Sequence, residues 1–187
     1  MTLEPLLVST GVVAIAEIGD KTQLLAIVLA AKFRKPGPII LGILAATLLN
    51  HAAAATLGYL VSQWLSGRLF QIVVGAAFLA MAVWALIPDK EDDGATTRRA
   101  GGVFLTTLIA FFLVEIGDKT QIATVALAAR FQNVAIVTAG TTVGMMLANV
   151  PAVLFGDVLA RRIPLKLVRI GAAASFVLLG LGVLLWR

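Results

Sequence analysis

Apolar side chains run along this chain in six long stretches, near 4–31, 37–62, 68–88, 102–130, 134–160 and 165–186, set apart by short polar clusters. Each stretch supplies the ~20 residues with which a helix crosses a hydrocarbon core. The breaks are Lys32-Phe33-Arg34-Lys35-Pro36-Gly37, the turn at Ser66-Gly67-Arg68, Phe131-Gln132-Asn133, and Arg161-Arg162-Ile163-Pro164. Only the connection between the third and fourth stretches is long and strongly charged. The pattern predicts an all-α membrane protein of six transmembrane helices: a three-helix unit at 1–88, a linker at 89–101 and a second three-helix unit at 102–187.

Composition supports the bilayer as solvent. Of 187 residues 60% are hydrophobic and 13% charged, with a mean hydropathy of +1.00, where a soluble domain carries about 45–50% apolar and ~25% charged residues. The absence of cysteine excludes disulfides and thiolate metal sites, and one histidine excludes imidazole-rich zinc cages. A net charge of +5 invites a nucleic-acid reading, but the cations sit in short runs between apolar stretches, where membrane topology accounts for them. No nucleic acid is expected; the lipid bilayer is the partner.

Leu6 to Val13, followed by Ala14-Ile15-Ala16, has the outline of a secretory signal peptide. Glu4 stands where a basic cluster would be, and the sequence after the supposed cut recurs in mid-chain, so the segment is read as a span. Basic residues in short loops stay cytoplasmic. Lys32, Arg34, Lys35, Lys90, Arg98, Arg99, Arg161, Arg162, Lys166 and Arg169 fall in the first, third and fifth connections, against Arg68, Arg130 and Arg187 on the other side. Both termini are therefore expected outside, with the central linker in the cytoplasm.

The chain repeats itself. Glu17-Ile18-Gly19-Asp20-Lys21-Thr22-Gln23 returns unchanged as Glu115-Ile116-Gly117-Asp118-Lys119-Thr120-Gln121, and over 17–33 against 115–131 there are 11 identities in 17 positions, where chance gives on the order of 1 or 2. In the same register Gly42 matches Gly140, Gly58 matches Gly156 and Phe78 matches Phe176. Units with an odd number of spans insert in opposite senses, which predicts two inverted three-helix repeats, the plan of secondary transporters whose sites lie near the midplane between repeats.

Each motif falls near the middle of an apolar stretch, where an ionisable side chain costs ~2.5–3.5 kcal/mol on insertion scales unless paired or hydrated. On a continuous helix Glu17 and Asp20 share a face, as do Glu115 and Asp118, and Lys21 and Lys119 come within reach of the glutamates. Two buried Glu–Lys bridges that merely staple helices would be the plainest reading, but buried ion pairs stabilise poorly and the aspartates would then have no part. Four carboxylates and two ammonium groups leave an excess of two negative charges. One divalent cation or two protons would neutralise it, the requirement for exchanging a metal against protons. Carboxylates, the Thr22 and Thr120 hydroxyls, the Gln23 and Gln121 amides and freed carbonyls are hard oxygen donors suited to Mn²⁺, Ca²⁺ or Mg²⁺. Gly19 and Gly117 either unwind a turn at the site or serve packing.

His51, inside the second span, has Asn149 as its register partner, with Asn50 and Pro151 adjacent. His51 is a proton relay, an occasional ligand or a helix-to-helix hydrogen bond. Pro151 is expected to kink its helix, Gly140 and Gly144 to pack against another helix, and Trp64, Trp84 and Trp186 to mark the interfaces. Asp89, Glu91, Asp92 and Asp93 form an acidic cluster in the linker, either a sensor of cytoplasmic cations or, as the plainer and preferred reading, a solvated loop.

The doubled Glu-Ile-Gly-Asp-Lys-Thr, once in the first helix of each unit, resembles the signature of the Gdt-one family of cation/proton antiporters, related to the lysine exporter superfamily. The resemblance covers essentially the whole chain. It implies export of Mn²⁺ or Ca²⁺ from the cytosol in exchange for protons, with Glu17, Asp20, Glu115 and Asp118 as the acidic metal-binding residues and Lys21, Thr22, Lys119 and Thr120 completing the motifs. The compact chain looks like a bacterial member of the plasma (inner) membrane, for which Mn²⁺ efflux is the expected duty, with no prosthetic group. The lysine exporter link leaves an amino-acid exporter as the alternative. A membrane hydrolase is disfavoured, since no His-Glu-x-x-His or exposed nucleophile motif is present. Metal preference, proton stoichiometry and oligomeric state do not follow from the residues.

Overall fold

The computed structural model describes residues 3–64, 67–87, 102–162 and 165–185, and these residues contain helices and no strand. In chain order the helices are α1 (Glu4–Glu17), α2 (Lys21–Phe33), α3 (Pro36–Trp64), α4 (Gly67–Leu86), α5 (Val103–Glu115), α6 (Lys119–Phe131), α7 (Val134–Arg162) and α8 (Leu165–Leu185). By length and composition, three helical stretches among the described residues can cross a membrane, Pro36–Trp64, Gly67–Leu86 and Val134–Phe155, with shorter apolar helices at Val103–Glu115 and Ile170–Leu185.

Two of the expected spans are not single helices. The stretch 4–31 is divided between α1 and α2, and 102–130 between α5 and α6, each at the Ile-Gly-Asp of the repeated motif. The linker 89–101 with its acidic cluster, Trp186, Arg187 and the side chains of Arg161, Arg162, Lys166 and Arg169 lie outside the described residues.

The duplication carries into the elements: α2 and α6, like α3 and α7, begin and end at the same register positions. Helix α1 lies along α7, α4 along α8, and α3 touches α5, α6 and α7. Glycine permits the closest approaches. A Cβ at Gly140 would sit 2.8 Å from the Leu6 carbonyl and one at Gly144 2.6 Å from that of Thr10, while the Thr10 hydroxyl donates to the Gly140 carbonyl at 3.0 Å. Because contacts advance along both helices in the same sense, α1 and α7 are parallel and begin at the same end of the bundle. Between α4 and α8 the rings of Phe78 and Phe176 stack at 6.4 Å.

Polarity is arranged inside out. Leu49, Leu57, Leu113, Leu147 and Leu178 are exposed, whereas Glu17, Asp20, Asn50, His51, Glu115, Asp118, Lys119 and Asn149 are buried. Such a surface suits hydrocarbon, where a helix satisfies its own backbone groups internally. Trp64 is exposed at the end of α3. Trp84 instead packs, half-buried, against the cluster around Phe78. In α7 the departure from helical geometry falls at Phe155 (φ −134°, ψ 25°), one turn beyond Pro151.

A methyl group at Gly58 would run into the Val125 carbonyl of α6. Gly58→Ala is expected to lower stability by about 1–3 kcal/mol, the usual range for overpacking, read as a drop in thermal unfolding temperature in detergent. Gly11→Ala, with nothing within 4 Å of the added carbon, should leave that temperature unchanged or raise it, since alanine is favoured over glycine by up to about 1 kcal/mol within a helix.

Candidate metal centre

The motif breaks its helix by a defined local geometry. Helix α1 ends at Glu17, Ile18 turns extended (φ −65°, ψ 119°), and Asp20, also extended, precedes the first residue of α2. Between them Gly19 adopts φ +78°, and Gly117 repeats it at +76°, a region that glycine enters without steric cost. The Asp20 N–H donates to the Glu17 carbonyl at 3.1 Å, as Asp118 does to Glu115 at 3.0 Å. The amide oxygens of Gln23 and Gln121 accept the Gly19 and Gly117 N–H groups at 2.8 Å each. These oxygens, expected to face the ion, therefore fasten the breaks; Gln23 also donates to the Ala148 carbonyl of α7 at 3.1 Å.

Breaking the helix changes who meets whom. Glu17 closes one helix and Asp20 opens the next, so the shared helical face expected for them does not exist. The lysines do not form the expected short-range bridges to the glutamates. Lys21 pairs with Asp118 at 3.1 Å and Lys119 with Asp20 at 3.0 Å, each lysine reaching the aspartate of the other copy. The helix N-termini of α2 and α6 add positive dipole ends beside these two aspartates.

Glu17, Asp20 and Asp118, all buried, each offer a carboxylate oxygen within 4.8 Å of the others. Oxygens on opposite sides of a cation held at 2.0–2.6 Å lie about 4–5 Å apart, so the cluster is of ionic dimensions. The Thr120 hydroxyl donates to Asp118 at 3.3 Å, and the buried Thr22 hydroxyl has no hydrogen-bond partner among the described residues.

The fourth acid stands differently. Glu115 accepts one bond from the Asn50 amide at 3.0 Å and another from the Thr47 hydroxyl at 3.3 Å, and the same Asn50 amide donates to the Phe112 carbonyl at 3.1 Å. Glu17 has neither donor. Asn149, beside it, donates to the carbonyl and sulfur of Met145, and neither Glu17 oxygen has hydrogen-bond geometry with a described residue. Both His51 nitrogens share that condition.

Thr47 escaped the sequence reading, and Asn50 entered it only as a neighbour of His51. The signal lay in the repeat register. Thr47 and Asn50 correspond to Met145 and Ala148, so two polar side chains in one copy replace apolar ones in the other at the depth of the motif.

A helical bundle with an apolar exterior and an excess of buried carboxylates at paired helix breaks has the makings of a membrane carrier for small cations. Residues 5–93 and 103–186 match the family described as "Divalent cation/proton antiporter GDT1", and the chain belongs to that family. It is 51% identical over 177 residues, covering 94% of this chain and 88% of the other, to a protein of Vibrio cholerae named "Putative manganese exporter". It is 30% identical to a GDT1-like protein of Oryza sativa, over 86% of this chain and 66% of that one, and 26% identical to one of Synechocystis, over 89% of each. No solved structure matches it.

Replacing Asn50 by alanine removes both of its bonds and leaves a buried Glu115 oxygen without a donor. Asn50→Ala is expected to lower stability by about 1–3 kcal/mol, measured by thermal unfolding in detergent, with added Mn²⁺ recovering part of the loss by binding the folded state.

Proposed function

We propose that this protein exports Mn²⁺ from the cytosol across the plasma (inner) membrane in exchange for protons, with Ca²⁺ as a second cargo, through a centre built from Glu17, Asp20, Asp118 and Glu115. The observation that carries the reading is the convergence of three buried carboxylates from both copies of the motif within 4.8 Å. Oxygen ligands at this spacing suit a hard divalent ion, and no prosthetic group is needed.

The two excess negative charges can be offset by one divalent cation or by two protons, and the two states exclude one another. Metal delivered on one side is thus replaced by protons taken from it. Each lysine joins the two copies, so a cation taking the aspartates competes with the bridges Lys21–Asp118 and Lys119–Asp20. Cargo binding and the relative position of the halves are coupled through these ion pairs.

In this reading the chain crosses the membrane six times as two inverted repeats, each first span being a broken helix, with both termini outside and the linker in the cytoplasm. Reciprocal pairing supports the inversion: position 21 of one copy meets the aspartate at 118 while its equivalent, 119, meets 20. Such exchange of partners marks a two-fold relation.

The test is Mn²⁺ movement into liposomes containing the purified protein under an imposed pH gradient. Glu17→Gln and Glu115→Gln are each expected to reduce the rate by at least about tenfold, or 1.4 kcal/mol in the barrier, and collapse of the gradient should stop net movement. Undiminished transport by both variants would overturn the reading, and inhibition by lysine without inhibition by Ca²⁺ would favour an amino-acid exporter.

A further inference from the structure

Four helix ends meet around a cavity of about 430 Å³: the starts of α1 and α4 and the ends of α6 and α8, represented on its wall by Glu4, Phe70, Arg130 and Val183. That is room enough for a small molecule or the polar end of a larger one. Its depth is that of the membrane surface. Trp64, exposed at the end of α3, stands three residues before Gly67, which borders the cavity, and exposed tryptophans at span ends sit at the level of lipid head groups.

The wall carries charge of both signs. Arg130 folds its guanidinium over Phe131, 5.3 Å from the ring centre, and reaches α8, where a Cβ at Gly182 would lie 3.8 Å from its Nη1. Stacking uses the flat face of a guanidinium and leaves the donors along its edge for an anion. Glu4, in the first turn of α1, is exposed. Both residues border the same space, yet among the described residues no ion pair joins them. Phe70, Phe131 and Val183 supply apolar wall. Arg68 donates to the Leu184 carbonyl at 2.8 Å and to the Gln71 amide oxygen at 3.1 Å, fastening the start of α4 to the end of α8. An apolar wall with a separate cation and a separate anion matches an amphiphile whose polar end bears both charges.

The repeat register gives the other copy only half of this set. Arg130 and Phe131 correspond to Lys32 and Phe33, and Lys32 lies 5.4 Å from the Phe33 ring centre, so a cation over a ring at the end of the second helix belongs to the duplication. Glu4 corresponds to Gly102. The pairing of a guanidinium with a carboxylate across one cavity is therefore particular to the end where α1 begins.

We propose that the cavity binds the head group of phosphatidylethanolamine from the leaflet at the end of the bundle where α1 and α7 begin, with its phosphate on Arg130 and its primary ammonium on Glu4. A guanidinium holds phosphate oxygens through parallel charge-assisted bonds, and basic pockets between spanning helices take lipid head groups. The three N–H donors of an ammonium suit a carboxylate; a choline head has none, and a glycerol head brings no positive charge to Glu4. The acyl chains have apolar cover at hand, since α4 turns Leu69, Ile72 and Val73 outward and α8 turns Leu181 and Leu185. The site shares no residue with the metal centre and stands whatever the cargo.

The test is thermal unfolding of the full chain, delipidated in detergent and titrated with the dihexanoyl forms of phosphatidylethanolamine, phosphatidylglycerol and phosphatidylcholine, since a ligand of the folded state raises the unfolding temperature by mass action. Phosphatidylethanolamine is expected to bind at least about fivefold more tightly than either of the others, the discrimination of a charge-assisted bond. Glu4→Gln should erase that preference while phosphatidylglycerol affinity stays within about twofold, and Arg130→Gln should weaken both lipids at least about tenfold. Lys32→Gln, at the register partner of Arg130, should leave every affinity within about twofold, as for a distant site. Gly182→Leu fills the cavity from α8 with both charges in place and should weaken phosphatidylethanolamine at least about tenfold through overpacking, which keeps the site testable where a charge variant fails to fold. Equal affinity for the three lipids, or a preference unchanged in both Glu4→Gln and Gly182→Leu, overturns the proposal. Soluble phosphoethanolamine binding as tightly as the lipid overturns the lipid as occupant.

Discussion

Charge that cannot be hydrated is the constraint on which this structure depends. Four carboxylates and two ammonium groups are buried, or nearly so, in a bundle whose outside is leucine-rich. Taking an ion out of water costs several kcal/mol even after relaxation, so every part of the motif has a compensating task. The glycine break exposes helix N-termini to the aspartates. The glutamines close the break so that its amides are not orphaned, and the lysines pair with the aspartates. What these devices leave over is Glu17, buried with neither oxygen hydrogen-bonded among the described residues, which the transport reading gives to the cation.

Duplication supplied the parts, and divergence has made them unequal. The reciprocal pairs of Lys21 with Asp118 and Lys119 with Asp20, and the stacking of Phe78 on its own register partner Phe176, treat the copies alike. Around the glutamates the likeness ends. Thr47 and Asn50 hold Glu115, while Met145 and Ala148 stand at the corresponding positions near Glu17. Glu115 is held by a helix through two donors, and Glu17 has no counterpart of them.

The helical class, the apolar stretches and the importance of the doubled motif could be read from the sequence, because membrane crossing and duplication leave long, redundant signals. The two lysine partners could not. Spacing arguments assume a continuous helix, and Gly19 and Gly117 void that assumption by turning the chain at the motif itself. Once the helix breaks, i to i+4 proximity has no force, and the carboxylate with which Lys21 pairs lies 97 positions away, at Asp118. The fate of the Gln23 and Gln121 oxygens was hidden for the same reason, since the amides they accept from exist as free donors only after the break. Thr47 and Asn50 were concealed differently. They carry no charge and sit in a helix distant in sequence, and only a position-by-position comparison of the copies exposes them.

Lysine is the appropriate cation for such a centre. An arginine at position 21 or 119 would present a rigid fork matched to a carboxylate and hold it in two parallel bonds, whereas an ammonium is a compact point charge on a flexible stem. A carrier needs its internal pairs to be strong enough to keep its buried charges compensated and weak enough for cargo to displace them. A single Lys–Asp contact near 3 Å in each direction is the form of pair that the transport reading asks for. The two contacts are equivalent in the repeat, so in the transport reading a cation that takes both aspartates would release both bridges between the copies together. In the transport reading the metal would then join the halves in place of the lysines, so that cargo changes what ties the two copies together.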